Sequence, residues 1–186
     1  YKLFVLLINI SAACIGYYSF RRILRDDRLG MVCTVLYLLV PYRLVNLYTR
    51  AAVSEALANV FFPLLFLGIC ELFFGNCKKW YLTVIAATCI LHSHILSVEI
   101  CLFFVLCVVL LRIVPIIRSK EYSRILCALK ALVVFLLLNL WFILPFFTEF
   151  GQDYFILTRR LDLSEDTPSL LQLLQMALQG FHPFVE

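Results

Sequence analysis

Residues 3–20, LFVLLINISAACIGYYSF, run for 18 positions without a charge. Wound as an α-helix, such a stretch covers about 27 Å, close to the thickness of a bilayer's hydrocarbon core. Comparable apolar stretches recur at 31–40, 51–74, 81–97, 98–117 and 131–147, separated by short polar segments. A water-soluble domain of 186 residues has no core large enough to bury all of them. Composition agrees: 63% of the residues are hydrophobic and 15% charged, against about 45–50% and about 25% in soluble domains. The expected fold is therefore all-α, a polytopic integral membrane helix bundle with about six transmembrane helices. The chain has no initiator Met, and both of its ends read as interior to a longer protein, so a signal peptide cannot be assessed. We expect residues 1–150 to form the bundle, as part of a larger membrane domain, and 151–186 to form an extracytoplasmic segment.

Within that frame, Pro41 should kink or end the second span, because proline removes a donor and clashes with the preceding turn. Pro63 should kink the third near its middle. Ala52 and Ala56 form a small-xxx-small pair suited to close helix approach. Asn9 and Ser11, polar inside the first span, read as hydrogen-bonding to a neighbouring helix. Residues 118–130, RSKEYSRILCALK, read as a basic connection with a short interfacial helix. After residue 150 the composition turns mixed and partly acidic. Thr167-Pro168 is an N-terminal signal and Gly180 a stop, enclosing a twelve-residue amphipathic helix with Leu170, Leu171, Leu174 and Leu178 on one stripe. It is too short to span and is expected to lie on the membrane surface or against the bundle.

Six spans generate two alternating sets of loops. Segments 21–30, 75–80 and 118–130 carry ten lysines and arginines, whereas 41–54, 92–99 and the region after 148 carry four. The positive-inside bias assigns the first set to the cytoplasm. Tyr17, Tyr18 and Trp80 then fall at the inner boundary, and Tyr42, Tyr48 and Trp141 towards the outer one.

The segment 41–58, PYRLVNLYTRAAVSEALA, breaks the apolar pattern with Tyr42, Arg43, Asn46, Tyr48, Arg50 and Glu55. On a helix, Arg43, Asn46, Arg50 and Ser54 share one face, and Tyr48, Ala51, Ala52 and Glu55 another. A polar cluster at a membrane boundary is costly unless something engages it, so this segment reads as the rim of a site. Glu55 is either half of an ion pair with Arg43, Arg50 or a histidine, or a site acid or metal ligand. Arg43 and Arg50 suit a phosphate diester or pyrophosphate, and headgroup anchoring explains them equally well. Glu99 reads as interfacial. Glu71, within reach of Lys78 and Lys79, reads as snorkelling to the boundary.

Other chemistries find little footing. His92 and His94 are two apart and point to nearly opposite sides of a helix, so at most one faces a site; a zinc pair needs four. The eight cysteines form no CxxC pair, and seven lie in or beside apolar stretches, where they act as small hydrophobes. The acidic run Asp162, Glu165 and Asp166 reads as helix-start chemistry. No phosphate-cradling glycine loop, GxSxG elbow or zinc signature is present. The basic residues are explained by membrane orientation, which leaves no support for a nucleic-acid partner.

Three stretches in order, PYRLVNLYTRAAVSEALANVFFPLLFLG, LHSHILS and NLWFILPFFTE, resemble a family of bacterial polytopic membrane proteins. These are the YfhO-like and "pyruvoyl-tetrahydropterin synthase-related" membrane proteins, which look like GT-C glycosyltransferases. The resemblance covers residues 31–150. It implies transfer of a sugar from a polyprenyl-phosphate donor to a cell-envelope acceptor on the outer face of a bacterial plasma membrane. Membrane lipid and the polyprenyl-phosphate-linked sugar are then the partners, and a divalent metal is compatible with the chemistry. By motif position it makes Tyr42, Arg43, Asn46, Tyr48, Arg50 and Glu55 cavity-lining, with His94 beside them. Arg43 or Arg50 would hold the donor phosphate, and Glu55 would orient them or assist the acceptor. The catalytic acid of that class sits on a first outer loop that this sequence does not contain, so no catalytic residue is assigned. The pterin-synthase zinc histidines are also missing. Two other classes stay open: a transporter or lipid flippase, and a non-catalytic membrane subunit. Repeated halves, which would favour the transporter, are not evident.

Overall fold

The computed structural model describes residues 2–150, and every element among them is helical. In chain order these are α1 (Lys2–Leu24), α2 (Asp27–Leu38), α3 (Pro41–Leu44), a π-helical turn (Val45–Thr49), α4 (Val53–Phe73), a 3-10 turn (Cys77–Lys79), α5 (Tyr81–Ser93), α6 (Ile95–Arg118) and α7 (Tyr122–Phe150). The amphipathic helix and the acidic run expected after residue 150 lie outside the described residues.

Four helices are long and apolar enough to cross a membrane: Lys2–Leu24, Val53–Phe73, Ile95–Arg118 and Tyr122–Glu149. A fifth crossing arises if α2 and the segment Pro41–Thr49, bent by 51°, count as one broken span. This is fewer than the six anticipated, and the reason lies in α5. The apolar run 81–97 is cut at His94, which adopts an extended conformation (φ −156°, ψ 110°), ends α5 and starts α6. The 13 residues left in α5 rise about 20 Å, short of a hydrocarbon core about 30 Å thick. The basic connection at 118–130 does not form a helix of its own. After a short turn at Ser119–Glu121, with Lys120 at φ 57°, its residues make the first turns of α7.

α1 and α2 form a tight hairpin. Asp26 caps α2 by accepting from the amides of Arg28 (2.7 Å) and Leu29 (2.9 Å). At Gly30 the α1 backbone comes so close that a Cβ would lie 2.7 Å from the Cα of Arg21. Arg21 and Asp27 close the turn as an ion pair. α1 and α4 pack side by side through Ile8 and Ala12 on one helix and Ala56 and Val60 on the other, with Leu47 beneath them. Ala56 thus serves the close approach expected of it.

α4 and α5 form a second hairpin. Ala58, Leu65, Ile69 and Leu72 of α4 meet Ala86 and Ile90 of α5. Gly68 is required there, since a Cβ would sit 2.6 Å from the amide nitrogen of Thr83. α4 continues through Pro63 without a break in the helix. Proline has no N–H for the carbonyl four residues back, that of Asn59. Tyr37 of α2 donates its hydroxyl to that carbonyl instead.

α6 and α7 are aligned with α4 at its C-terminal end. Arg112 of α6 donates to the Phe73 carbonyl (3.2 Å), and Arg124 of α7 donates to those of Leu72 (3.1 Å) and Gly75 (3.0 Å). Helix direction therefore alternates. The turns at 24–27, 74–80 and 119–121 gather at one end, and the breaks at 39–52 and at His94 at the other. The basic turn is built on Glu71, which pairs with Lys79 and accepts from the Asn76 amide (2.9 Å). All eight cysteines are free thiols.

Candidate functional site

The polar segment 41–58 is not one helix. Pro41 opens α3 at its first position, where its missing N–H costs nothing. The chain then widens into the π turn and leaves helical geometry at Arg50–Ala52. Ala51 is left-handed at φ 50°, and the Val53 amide bonds back to the Ala51 carbonyl (2.8 Å). Widened turns of this kind recur at functional sites. Their effect here is to bring Tyr42 and Glu55 together from two separate helices.

Arg43 is almost completely enclosed, 3% exposed. Its Nη2 donates to Asn9 Oδ1 of α1 (2.8 Å) and its Nη1 to the Leu38 carbonyl (3.1 Å). Asn9 in turn donates to the Val5 carbonyl (3.0 Å) and to Tyr48 Oη (3.1 Å). Asn9 therefore does bond to a neighbouring helix, and its partner is the cluster itself. The buried Nε of Arg43 has no hydrogen-bond partner, and neither does Nδ2 of the fully buried Asn46.

Arg50 is the accessible cation, with its side chain 57% exposed. Its Nη1 donates to Asn46 Oδ1 (2.9 Å) and lies 3.8 Å from Glu55 Oε2. Tyr42 donates to the other oxygen of Glu55. Glu55 is thus tied to Arg50 and Tyr42, while Arg43 is held by Asn9. Two guanidinium groups against one carboxylate leave the cluster with a net positive charge. The rings of Tyr42 and Tyr48 are exposed beside it. An exposed guanidinium held in place from behind, with two phenol edges nearby, can bind an anionic oxygen group.

The chain has no match among protein-family models, curated proteins or solved structures.

Tyr42, Asn46, Arg50 and Glu55 form one set of contacts, and Arg43 and Tyr48 form another through Asn9. His94 lies at the same end, and no described hydrogen bond or ion pair joins it to them. Its Nδ1 meets Ser97 Oγ (2.8 Å), one turn into α6, which fixes the corner. His92 faces elsewhere: its Nε2 contacts Asn139 Oδ1 (3.0 Å) and its ring stacks on Trp141 at 5.2 Å. Asn139, fully buried in α7, donates on to Thr88 (3.0 Å). Glu99 is exposed. Among the described residues no group of three or more His, Cys, Asp or Glu comes together to hold a metal ion.

Sequence reasoning overlooked Tyr37 and Asn59, which lock α2 to α4 beside the site. A signal for them existed: Pro63 leaves one carbonyl unserved, and Tyr37 is a buried-side hydroxyl on the preceding helix.

Proposed function

We propose that the chain is part of a GT-C-like membrane glycosyltransferase, or an inactive relative, which handles a polyprenyl-phosphate-linked sugar at the outer face of a bacterial plasma membrane. The observation that carries this reading is the Arg43–Asn46–Arg50–Glu55 cluster at the helix break, with a net positive charge and a guanidinium presented at the surface. The sequence resemblance, carried in part by the same stretch, supports it as well. Arg50 receives the donor phosphate, with Tyr42 and Tyr48 beside it. Arg43 is a positioning residue, since its guanidinium is spent on Asn9 and Leu38. Glu55 orients Arg50 and Tyr42 and is the carboxylate placed to assist an acceptor. His94 stands at the same end as a further contact. The resemblance expects the catalytic acid on a first outer loop, and a divalent metal would need ligands from outside this cluster.

In this reading the chain is multi-pass, with 21–30, 75–80 and 118–130 in the cytoplasm. Six passes are reached with the broken span and with α5, whose short length is met by local bilayer thinning.

The test is made in the full protein, in a cell-envelope glycan assay. Arg50→Ala and Glu55→Ala should each abolish attachment of sugar to the envelope polymer while membrane expression stays normal. Unchanged glycan in both variants would remove the assignment.

A second reading draws on a separate observation. The bend of 51° between α2 and the segment Pro41–Thr49 has the form of the discontinuous helices that line transporter pathways. A transporter or lipid flippase would lose substrate movement, with no effect on sugar transfer, in the same Arg50→Ala variant.

A further inference from the structure

The far end of the bundle holds a second feature, independent of the cluster above. α4, α5, α6 and α7 enclose a cavity of about 410 Å³ that is partly open to the outside. Its walls are apolar, with Leu65, Ile90, Val105, Ile116, Leu132 and Phe135 among them. A cavity so lined excludes water and accepts an apolar guest. The surroundings are themselves apolar, because α6 and α7 turn most of their surface outward.

Cationic groups stand where the cavity walls reach the basic turns. Arg112 follows Val109 and precedes Ile113 and Ile116 on the same face of α6, and all three of those line the cavity. Its guanidinium lies 4.4 Å from the centre of the Phe74 ring, and its Nη2 bonds the carbonyl of Phe73, another wall residue. Arg124 adjoins the wall residue Ile125, and Lys130 sits over the Trp80 ring at 4.9 Å. Glu71 matches Lys79 and Glu121 matches Arg124. Arg112 and Lys130 have no carboxylate partner among the described residues, and the buried Nε of Arg112 has no hydrogen-bond partner at all.

We propose that this is a binding site for an anionic glycerophospholipid, one acyl chain in the cavity and the headgroup phosphate at Arg112, with Lys130 adding charge. An apolar chamber ending in an unmatched guanidinium is complementary to that one amphiphile. Basic pockets between transmembrane helices take such headgroups. At about 30 Å³ per water the chamber is worth about fourteen waters, a space on the scale of one fatty chain rather than a long polyprenyl tail. The site lies at the opposite end from Arg50, so it holds whether or not the transferase reading does. Its role is to fill the bundle where α4–α7 leave it open.

The test uses the full chain purified in detergent, titrated with dioleoyl phosphatidylglycerol and with dioleoyl phosphatidylcholine, and read by native mass spectrometry. The wild type should hold one phosphatidylglycerol about tenfold more tightly than phosphatidylcholine, as expected for one charge-assisted contact. Arg112→Gln should erase that preference, and Arg112→Lys should keep part of it. Ala128→Phe, which fills the chamber from α7, should weaken both lipids together. If that variant does not fold, Arg112→Gln alone decides. Equal retention of the two lipids by the wild type overturns the proposal, as does a preference that survives in Arg112→Gln. Exclusive retention of a polyprenyl phosphate overturns it too, and so does a lipid-free dimer in which a second copy covers the cavity.

Discussion

The two sides of α4 are built differently. Towards α1, α2 and α3, its neighbours are tied by specific polar bonds: Arg43 to Asn9, Tyr37 to the Asn59 carbonyl, Tyr42 to Glu55. Towards α6 and α7, its neighbours touch mainly through apolar side chains and leave a chamber between them. The contrast shows in burial: 22% of the apolar window of α1 is enclosed, against 6% for α6 and 11% for α7. In a bilayer, apolar surface gains little by leaving lipid for protein. Close packing and polar bonds therefore decide which helices are held rigidly. The α1–α4 side has both. The α6–α7 side relies on a few bonds at its ends, Arg112 and Arg124 at one and Asn139 near the other, and it is the side where a lipid can enter.

The sharpest way to break this contrast is to force apart the one tight junction that both sides share, α4 against α5. Gly68→Val places a side chain on the backbone of Thr83. The expected cost is about 3 kcal/mol, at the upper end of overpacking effects. It should appear as a large drop in thermal midpoint and in folded yield from detergent. A variant as stable as the wild type would mean that the two helices sit further apart than described.

Next in size is the polar seam itself. Arg43→Met keeps much of the length and removes two hydrogen bonds from a charged group, leaving the half-buried Asn9 Oδ1 without that partner. A loss of about 2 kcal/mol is expected in reversible unfolding, since hydrogen bonds to charged groups are worth about 1.5–3 kcal/mol and intramembrane bonds fall towards or below the low end. Arg112→Met on the other side should cost less, because lipid can enter where the bond was lost. Equal losses at the two arginines would erase the distinction between the sides.

Much of the architecture was legible in the sequence because its cause is local. Long uncharged runs become helices in any membrane protein, and Pro41 marks the bend wherever the rest packs. The polar segment was legible for the same reason, as eight polar residues in the fifteen positions 41–55 stand out against apolar flanks. What escaped is what depends on helices meeting. Spacing on a single helix pairs Arg43 with Asn46 and Arg50. In the structure Arg43 bonds Asn9 of α1 instead, while Arg50 keeps Asn46 and reaches Glu55 across the break at Ala51. The reversal within 92–99 was legible, but its place was not: an extended backbone at His94 ends α5 three residues before the apolar run does and leaves it too short to span. The fusion of 122–130 into α7 was hidden because a basic, amphipathic stretch reads alike whether it lies on a surface or begins a span.

The smallest effect tests whether the seam was built to serve a proline. Tyr37→Phe removes the hydroxyl that the Asn59 carbonyl accepts, and the loss should be about 1 kcal/mol. Pro63→Ala restores a backbone N–H four residues after Asn59, so in that background the carbonyl has its own helical donor. Tyr37→Phe should then be nearly neutral, and a double-mutant cycle on thermal or denaturant unfolding should return a coupling of about 1 kcal/mol. A coupling near zero would mean that the tyrosine contributes through packing alone. A full coupling would mean that the α2–α4 contact exists because Pro63 left an acceptor open, and that the rigidity of the α1–α4 side is set in part by a residue usually taken as a weak point in a helix.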